Sequence, residues 1–545
     1  MTSEAEREGA APRRIVRDAF YDVLRERGMT TIFANPGSTE IPLLAGLPED
    51  IRFVLALHEG SVVGMATGLA MARGEPALAL LHTTAGLGNA VSALATARAN
   101  RAPLVVVIGQ QDRRHLAAEP FLAGKLDGLA GEYPVRVEQP IRPQDVPGAV
   151  ARAYHEAGTA RGPALVIVPM DDWLAPAGEQ HESGAPARLL RSHGADPAAV
   201  DELAALIAEA DSPALVVGAG ADGADSWAAI TKLAERVNCP VFQEAFGARA
   251  GFPQDHPLFA GFLPAGRSRL RDTLAAFDAV LAIGAPVFRQ YPFEPGPFVV
   301  EGTRVGLVTD DPAEAHRSPA DVAVLGPPAQ ICAALAEQVP AGGGTPPRPR
   351  TASPPPAPPE PGERLRAGHV LAALGERLPP EAVVVEEAPS IKPELHERIP
   401  IRSPGGFATP AMGGLGFALP GSIGLRMGMP DRPVVALVGD GSSLYQIQAL
   451  WSAANYGVGA LFVVFQNGGY AVMDRLADKT GEDGPWPSFS VDVAAMARAQ
   501  GCPAIRVTEH DELLRVLDEV VPGLAGRGEP LLLEVVVEPD PDFQT

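Results

Sequence analysis

The stretch Pro433–Tyr470, PVVALVGDGSSLYQIQALWSAANYGVGALFVVFQNGGY, decides the fold of the C-terminal third of the chain. Its first apolar run ends in Gly439-Asp440-Gly441, a helical stretch follows, and a second apolar run ends in Asn467-Gly468-Gly469. Alternating strands and helices of this kind form parallel sheets, in which functional residues collect at the carboxyl edge. We therefore expect Asp440 and Asn467, which are 27 residues apart, to lie close together at one sheet edge.

The polar residues at these two strand ends suit a metal bound to a diphosphate. A carboxylate, an amide oxygen and the free carbonyl of a glycine-rich turn are ligands that Mg²⁺ accepts, and phosphate oxygens and water usually complete its shell. The N–H groups of Gly441, Ser442 and Ser443 begin a helix and are expected to face those phosphates. The alternative is a plain tight turn after a strand, because Gly-Asp-Gly alone often occurs by chance.

The rest of the chain repeats this alternation of short apolar runs and helical stretches. The runs TTIFANPG, PALALLHT and PALVIVPMD precede residue 176, and a second series with ALVVGAG and AVLAIGA follows a polar stretch. Residues 341–363 are too rich in proline and glycine to pack, which indicates a linker. The predicted fold is α/β, with three doubly wound parallel-sheet domains at residues 1–182, 196–340 and 364–545.

Composition argues against several classes of protein. The 545 residues carry a net charge of −22 without any prominent basic cluster, which disfavours binding to nucleic acids or anionic membranes. The three cysteines lie far apart and support neither a disulfide framework nor a zinc cluster. The first residues lead into no apolar signal segment, and no uncharged stretch is a credible membrane helix. We therefore expect a cytoplasmic enzyme.

The Gly-Asp-Gly motif followed by Asn467 resembles the signature of the thiamine diphosphate (ThDP) enzymes. The resemblance implies that Asp440, Asn467 and the carbonyl of Gly469 hold Mg²⁺ against the cofactor diphosphate. It also implies a pyrimidine-binding first domain, a Rossmann-like middle domain and a diphosphate-binding third domain. Glu59, at the end of RFVLALHE, stands where this family keeps the glutamate that activates the aminopyrimidine ring. The alternative for Glu59 is a carboxylate that stabilises a helix start.

A closer similarity, to the benzoylformate decarboxylases, covers nearly the whole chain. The segments NPGSTEIPLL, LHTTAGLGNA, IGAPVFR and MGGLGFALP occur in the order found in those enzymes. By resemblance, Ser38 binds the substrate carboxylate, His82 is the acid/base beside the reacting carbon, and Leu415 wedges the cofactor into its bent shape. The carbonyl of Gly413 accepts a hydrogen bond from the cofactor amino group, and Ser390 lies near the diphosphate. In the alternative interpretation Ser38 caps a helix, His82 is a satisfied core histidine, and Leu415 only packs.

The activity implied is the non-oxidative decarboxylation of a 2-oxo acid to an aldehyde and CO₂, with ThDP and Mg²⁺. Met473 and Leu476 fall where the family places apolar residues of the substrate pocket, which favours an aromatic or bulky substrate. The charged stretch 478–484 is interpreted as a solvated loop rather than a lid. In this family the glutamate and the metal motif come from neighbouring subunits, so the resemblance implies a homodimer at least, and often a homotetramer.

Tyr291 marks a departure from the family. It falls where the benzoylformate decarboxylases carry a second active-site histidine, provided that the loop VFRQYPFEPG aligns without a gap. A phenol is a poorer proton shuttle at neutral pH than an imidazole. Slow protonation of the reacting carbon would leave it free to attack a second aldehyde, so carboligation to a hydroxyketone is an alternative activity.

Two other classes of function remain open. Gly218–Gly223, with Glu244 at the end of the next strand, matches a dinucleotide fingerprint and would indicate a nicotinamide or flavin oxidoreductase. A non-catalytic scaffold that kept the fold is the other alternative. The joint presence of Glu59, Asp440 and Asn467 argues against a scaffold, because a decayed site need not keep both of its halves.

Overall fold

The computed structural model of the chain describes residues 14–178, 189, 194–342, 346–347, 354–360, 362–482 and 484–539. The linker predicted at 341–363 therefore lies partly outside the described residues, and so do the outer ends of the first and third predicted domains. Within the described ranges, no helix is both long enough and apolar enough to cross a membrane.

The first domain is built on a six-stranded sheet with the order β2-β1-β3-β4-β6-β5. All of its strand pairs are parallel. The central strands β3, β4 and β6 are buried almost along their full length, as expected for a sheet covered by helices on both faces. Its strands are β1 (Thr31–Ala34), β2 (Arg52–Leu55), β3 (Ala77–His82), β4 (Leu104–Gln110), β5 (Arg136–Glu138) and β6 (Pro163–Pro169). Its helices are α1 (Val16–Glu26), α2 (Ile41–Leu44), α3 (Glu59–Arg73), α4 (Thr83–Ala99) and α5 (Val146–Ala160).

The middle domain has the strand order β12-β11-β10-β7-β8-β9, again with parallel pairs. This is the doubly wound order of Rossmann-like sheets. Its helices are α6 (Pro197–Ala208), α7 (Ala224–Val237), α8 (Arg267–Leu274), α9 (Pro312–Arg317) and α10 (Pro328–Gln338). Its strands are β7 (Pro213–Val217), β8 (Val241–Gln243), β9 (Phe259–Phe262), β10 (Ala279–Ile283), β11 (Arg304–Thr309) and β12 (Val322–Leu325).

The third domain has the order β13-β19-β17-β16-β14-β15, and β18 also pairs with β19. The stretch quoted first forms β16, α14, α15 and β17, as the alternation of apolar and helical segments predicts. The strands are β13 (Leu365–Arg366), β14 (Val383–Glu387), β15 (Phe407–Ala408), β16 (Val434–Gly439), β17 (Leu461–Gln466), β18 (Ala504–Val507) and β19 (Leu531–Glu538). The helices are α11 (Ala367–Arg377), α12 (Lys392–Arg398), α13 (Ala418–Gly428), α14 (Asp440–Ser443), α15 (Ala449–Asn455), α16 (Ala471–Asp478), α17 (Val493–Ala499) and α18 (His510–Val520).

The first and third domains of one chain pack together through α3 and α13. Both helices are rich in glycine, and α3 is buried on every side from Glu59 to Ala70. A side chain at Gly68 would collide with the carbonyl of Gly421, and one at Gly424 would collide with the carbonyl of Met65. These glycines let the two backbones touch, and one apolar core therefore extends across both domains.

The glycine-rich turn of the middle domain uses its N–H groups within the fold. Gly218 N–H donates to the carbonyl of Ile283 at 3.2 Å, and Gly220 N–H donates to Gly284 at 2.8 Å. A nucleotide diphosphate would need such N–H groups to be free. The geometry of this turn therefore does not favour the dinucleotide interpretation of residues 218–223.

Glu244, at the end of β8, supplies a prediction about stability. Its carboxylate is 5% exposed, and its Oε2 atom has no hydrogen-bond partner. Burial raises the pKa of this carboxyl group to about 7. The folded state therefore binds more protons than the unfolded state between the ordinary glutamate pKa and about 7, so this residue lowers the free energy of unfolding as pH rises through that window.

We compare the free energy of unfolding of Glu244→Gln with that of the parent at two pH values. We expect the difference, variant minus parent, to be larger at pH 8 than at pH 5, by on the order of 3 kcal/mol. Urea denaturation of both proteins at the two pH values measures this difference. Glu202→Gln, an exposed change on α6 of the same domain, is the matched control and should show no such difference. An equal effect of Glu244→Gln at both pH values would contradict the prediction.

Candidate active site

The predicted metal ligands come together at the carboxyl edge of the third sheet. Strands β16 and β17 are neighbours, with Gly439 paired to Phe465, so the turns that follow them are adjacent. Asp440 Oδ1 accepts the N–H of Gly441 at 2.8 Å, and Asp440 Oδ2 accepts the N–H of Gly468 at 2.8 Å. Asn467 Oδ1 accepts the N–H of Gly469 at 3.1 Å. One carboxylate thus joins the two turns.

The chemistry of these donors fits a hard divalent cation. Asp440 is 5% exposed, and burial raises the pKa of its carboxyl group, although the backbone N–H groups that donate to it act in the opposite direction. A cation would compensate this buried charge, and carboxylate, amide and carbonyl oxygens are ligands that Mg²⁺ prefers. Among the described residues, no group of three or more His, Cys, Asp or Glu side chains could hold a metal. A metal at this edge would therefore depend on the mixed oxygen donors of the two turns and on phosphate.

The helix start after Asp440 differs in part from the expectation. The N–H of Gly441, predicted to face phosphates, donates instead to the side chain of Asp440. The hydroxyl of Ser443 donates to the Asp440 carbonyl at 2.7 Å. Ser442 and Ser443 are both buried in the short helix α14. The first N–H group of the turn is thus used to orient the carboxylate, which a sequence motif alone does not reveal.

Ser390 lies in the segment that follows β14, the neighbour of β16, and Gly413 and Leu415 lie in the segment that follows β15, the edge strand beyond β14. Ser390 is half-buried in a short 3₁₀ turn, and Leu415 is also half-buried. Gly413 has φ of +71°, and a side chain there would meet no atom within 4 Å. Open space beside Gly413 at this sheet edge is consistent with room for a cofactor.

Glu59 begins α3 on the first domain, where its carboxylate is held by two neutral amides. Asn35 Nδ2 donates to Glu59 Oε1 at 3.1 Å, and Asn89 Nδ2 donates to Glu59 Oε2 at 3.0 Å. The side chain is 7% exposed. Because both oxygens are engaged, the carboxylate has one fixed orientation. A fixed, buried carboxylate is better suited to exchange a proton with a bound ring than a solvated carboxylate at a helix start.

His82 ends β3 and is fixed by a carboxylate that the sequence analysis missed. Its Nδ1 atom lies 2.9 Å from Glu40 Oε2 and 3.0 Å from Thr39 Oγ1. Glu40 is 1% exposed and also accepts the N–H of Gly37 at 2.7 Å. Because a carboxylate only accepts hydrogen bonds, we assign the imidazole hydrogen to Nδ1, which leaves Nε2 as the reactive nitrogen. His82 is therefore neither isolated nor a plain core residue.

Two glycines make this arrangement possible. A side chain at Gly37 would meet the ring of His82 at about 2.5 Å, and a side chain at Gly109 would collide with Glu40. The loop that contains Ser38 therefore approaches the imidazole closely. Ser38 is exposed and lies inside a 3₁₀ turn (Ser38–Glu40), in which Gly37 occupies the capping position. The capping alternative for Ser38 is thus not supported by this geometry.

The other predicted residues lie on different elements: Tyr291 on the middle domain, and Met473 and Leu476 on α16, which contacts the turn that contains Ser390. Tyr291 is 65% exposed on the middle domain, and its backbone N–H donates to Ala265. Met473 is 44% exposed and Leu476 is half-buried, both on α16. The side-chain hydrogen bonds described for Glu59 stay within the first domain, and those of Asp440 stay within the third.

The residues missed from the sequence are Glu40, Asn35 and Asn89, together with Glu387 at the end of β14. Glu387 accepts the N–H groups that begin α13, directly after Leu415. Glu40 lies in the quoted segment NPGSTEIPLL, and Asn89 lies in LHTTAGLGNA. Glu40 meets His82, and Asn89 meets Glu59, through contacts between distant segments. The sequence therefore signals a role for them only in that they lie in segments that resemble the family.

Comparisons with known proteins match all three domains. The N-terminal, central and C-terminal domain models of the thiamine pyrophosphate enzymes match residues 14–130, 200–335 and 392–535. The chain is 38% identical to benzoylformate decarboxylase of Pseudomonas aeruginosa over 531 residues, which covers 95% of this chain and 98% of the relative.

Two solved structures are similar throughout. The thiamine diphosphate-dependent 4-hydroxybenzoylformate decarboxylase of Rhodococcus jostii RHA1 has a TM-score of 0.91 and 33% identity, covering 97% of this chain and all of that one. Benzoylformate decarboxylase of Polynucleobacter necessarius has a TM-score of 0.90 and 34% identity, covering 97% of this chain and 99% of that one.

Proposed function

The chain belongs to the thiamine pyrophosphate enzyme family, and we propose that its reaction is the non-oxidative decarboxylation of an aromatic, benzoylformate-like 2-oxo acid to an aldehyde and CO₂. Its cofactor is thiamine diphosphate. The observation that carries the substrate proposal is the pair formed by His82 and Ser38. The imidazole of His82, held by Glu40, lies beside the loop that carries the exposed hydroxyl of Ser38. The imidazole can supply a proton to a 2-oxo acid, and the hydroxyl can bind its carboxylate.

The bound cofactor supplies the electron sink for loss of CO₂. On the third domain, Asp440, Asn467 and the carbonyl of Gly469 would hold Mg²⁺ and, through it, the diphosphate. Gly413 and Leu415 would support the cofactor, and Ser390 would lie near its diphosphate. Glu59 would exchange a proton with the aminopyrimidine ring through a carboxylate oriented by Asn35 and Asn89.

The first-domain residues would handle the substrate. Ser38 would donate its hydroxyl to the substrate carboxylate. His82 Nε2 would take a proton from solvent and then give it to the reacting carbon, while the other hydrogen stays on Nδ1. Met473 and Leu476 on α16 would form part of an apolar wall that excludes water, which favours loss of charge in the reacting acid. Glu40 would keep the hydrogen on Nδ1 of His82, so that Nε2 is always the nitrogen that reacts.

A panel of 2-oxo acids tests the proposed reaction. Benzoylformate, phenylpyruvate, pyruvate and a branched-chain acid are each incubated with the holoenzyme, ThDP and Mg²⁺, and CO₂ and aldehyde are measured. We expect the highest kcat/KM with benzoylformate or a ring-substituted form of it. Absence of CO₂ from every aromatic acid would contradict the proposal.

Carboligation remains the second candidate, and Tyr291 favours it. The side chain predicted to take the place of the family's second histidine is exposed. A phenol is a poorer proton shuttle than an imidazole. The same incubation with excess aldehyde distinguishes the two outcomes. A hydroxyketone product would support carboligation, and free aldehyde as the sole product would argue against it.

We expect Glu40→Gln to lower kcat by about 10- to 100-fold, a fraction of the 10²- to 10⁴-fold that a general acid/base contributes. Glu40 Oε2 accepts both the N–H of Gly37 and the Nδ1 hydrogen of His82. Its Oε1 accepts the hydroxyl of Thr39. The amide has one accepting oxygen and no negative charge, so it cannot keep all three contacts and no longer stabilises a positive charge on the imidazole. KM should change little, because Glu40 is buried and does not face substrate. Steady-state kinetics measures this split, with the exposed Glu49→Gln as the control. An unchanged kcat would refute the role given to Glu40.

We also infer that the active enzyme is a dimer at least, in which Glu59 of one copy faces Asp440 of another. Exposed apolar side chains occur beside both halves: Ile41 and Leu57 on the first domain, and Met412, Tyr445 and Tyr470 on the third. Such side chains on a surface commonly mark an interface.

Mixing two inactive variants tests this arrangement. In a hybrid of Glu59→Gln with Asp440→Ala, one of the two shared sites keeps both native residues. Random mixing through unfolding and refolding should therefore restore roughly a quarter of the parent activity, since half of the dimers are hybrids and each has one intact site. No recovery, with hybrid dimers confirmed by mass spectrometry, would indicate that both halves come from a single chain.

A further inference from the structure

The loop of residues 409–417, between β15 and α13, is held at both ends by buried side chains from two different domains. At its first end, Asn100 of the first domain is fully buried. Asn100 Nδ2 donates to the carbonyl of Thr409 at 3.0 Å, and Asn100 Oδ1 accepts the N–H of Ala411 at 2.9 Å. A single amide thus satisfies a backbone acceptor and a backbone donor of the loop.

At its second end, the loop is held by Glu387, which is 2% exposed at the end of β14. Glu387 Oε1 accepts the N–H of Gly416 at 2.6 Å. Its Oε2 accepts the N–H groups of Phe417 at 2.7 Å and Ala418 at 2.6 Å. A carboxylate at a helix start is favourable, but this one comes from a different strand and so ties the loop to the sheet.

The part of the loop between these ends is only partly buried. Met412 is 51% exposed, and a side chain at Gly413 would meet no atom within 4 Å. The buried contacts at the two ends therefore fix where the middle residues start and finish. Those middle residues include Gly413 and Leu415, which the proposed function places against the cofactor.

We propose that Asn100 and Glu387 are positioning residues that hold loop 409–417 in the shape that binds ThDP. This inference rests on the proposed function, because it assigns a purpose to the loop through the cofactor. Burial raises the pKa of Glu387 to about 7, so a carboxylate is costly at this position even with three N–H donors. An apolar residue here would leave the N–H groups of Gly416, Phe417 and Ala418 without this acceptor.

The third domain contains a matched control for Glu387. Glu534 on β19 is also fully buried, and it accepts the N–H groups of Val493 and Ala494 at the start of α17 at 3.2 and 3.1 Å. Changing either glutamate to glutamine places an amide N–H₂ against backbone N–H donors, so both variants should lose thermal stability. Of these two helices, only α13 follows the loop that contains Gly413.

The test is the dissociation constant of ThDP for the apoprotein with Mg²⁺ in excess, followed by quenching of tryptophan fluorescence. We expect Glu387→Gln to bind ThDP about tenfold more weakly or worse, because one buried hydrogen bond of the loop is lost. Glu534→Gln should bind within about twofold of the parent protein. If both variants bind ThDP like the parent, or if both weaken binding equally, the inference is overturned.

A second pair of variants decides the question if Glu387→Gln does not fold. Asn100→Ala removes the clamp at Thr409 and Ala411, and should also weaken ThDP binding about tenfold. Its control is Ser452→Ala, since Ser452 is buried and joins the same two domains through the carbonyl of Leu55 at 2.9 Å. Equal affinity of these two variants overturns the inference while the proposed function stands. Failure of the parent protein to bind ThDP overturns both.

Discussion

A Glu59→Gln variant is expected to fold like the parent, to bind ThDP, and to turn over about 10²- to 10⁴-fold more slowly, the range that a general acid/base contributes. An amide of the same shape fills the same buried space, so packing around α3 is retained. It cannot exchange a proton with the aminopyrimidine ring. One of the two amide donors, Asn35 or Asn89, would also face an N–H₂ group instead of an oxygen.

The comparison with Glu75→Gln makes this expectation specific. Glu75 is exposed just beyond the C-terminal end of α3, so its change removes the same charge without touching the site. Steady-state rates with saturating ThDP and Mg²⁺, together with circular dichroism and a ThDP titration, separate chemistry from folding and binding. A Glu59→Gln enzyme with a rate near that of the parent would show that another group activates the cofactor.

The fold could be predicted from the sequence where the signal is local. Strands such as β16 and β17 are short apolar runs followed at once by glycine and polar residues, and parallel pairing then places Asp440 beside the Asn467 turn. Two edge strands, β5 and β12, escaped this reasoning. β5 and β12 are three and four residues long and only partly buried, so they lack the continuous apolar run of a central strand.

The site could be predicted only as far as single motifs extend. Asp440, Asn467 and Glu59 each belong to a motif with a chemical reason of its own. Glu40 meets His82 across 42 residues of sequence, and Asn100 meets Thr409 across 309. Such contacts follow from how whole domains pack, for which the spacing of residues gives no signal. The N–H of Gly441 shows the same limit at short range, because its donation to Asp440 depends on a side-chain conformation.

An Asp440→Ala variant is expected to lose Mg²⁺-dependent binding of ThDP. The substitution removes the one carboxylate of the predicted metal site and the bond that joins the Gly441 and Gly468 turns. A ligand present at 100 times its dissociation constant stabilises a folded protein by about 2.7 kcal/mol. The parent should therefore melt at a higher temperature when ThDP and Mg²⁺ are added, and EDTA should reverse the change. The variant should show neither response.

Asp492→Ala separates loss of the metal from loss of a helix cap. Asp492 is exposed in the same domain and caps α17 by accepting the N–H of Ala495 at 2.7 Å, a contact worth about 1 kcal/mol. This variant should melt earlier than the parent but keep the full increase on addition of ThDP and Mg²⁺. If Asp440→Ala also kept that increase, the cofactor would be held by something other than this carboxylate. That outcome would contradict the role of Asp440 as a metal ligand at the β16–β17 edge.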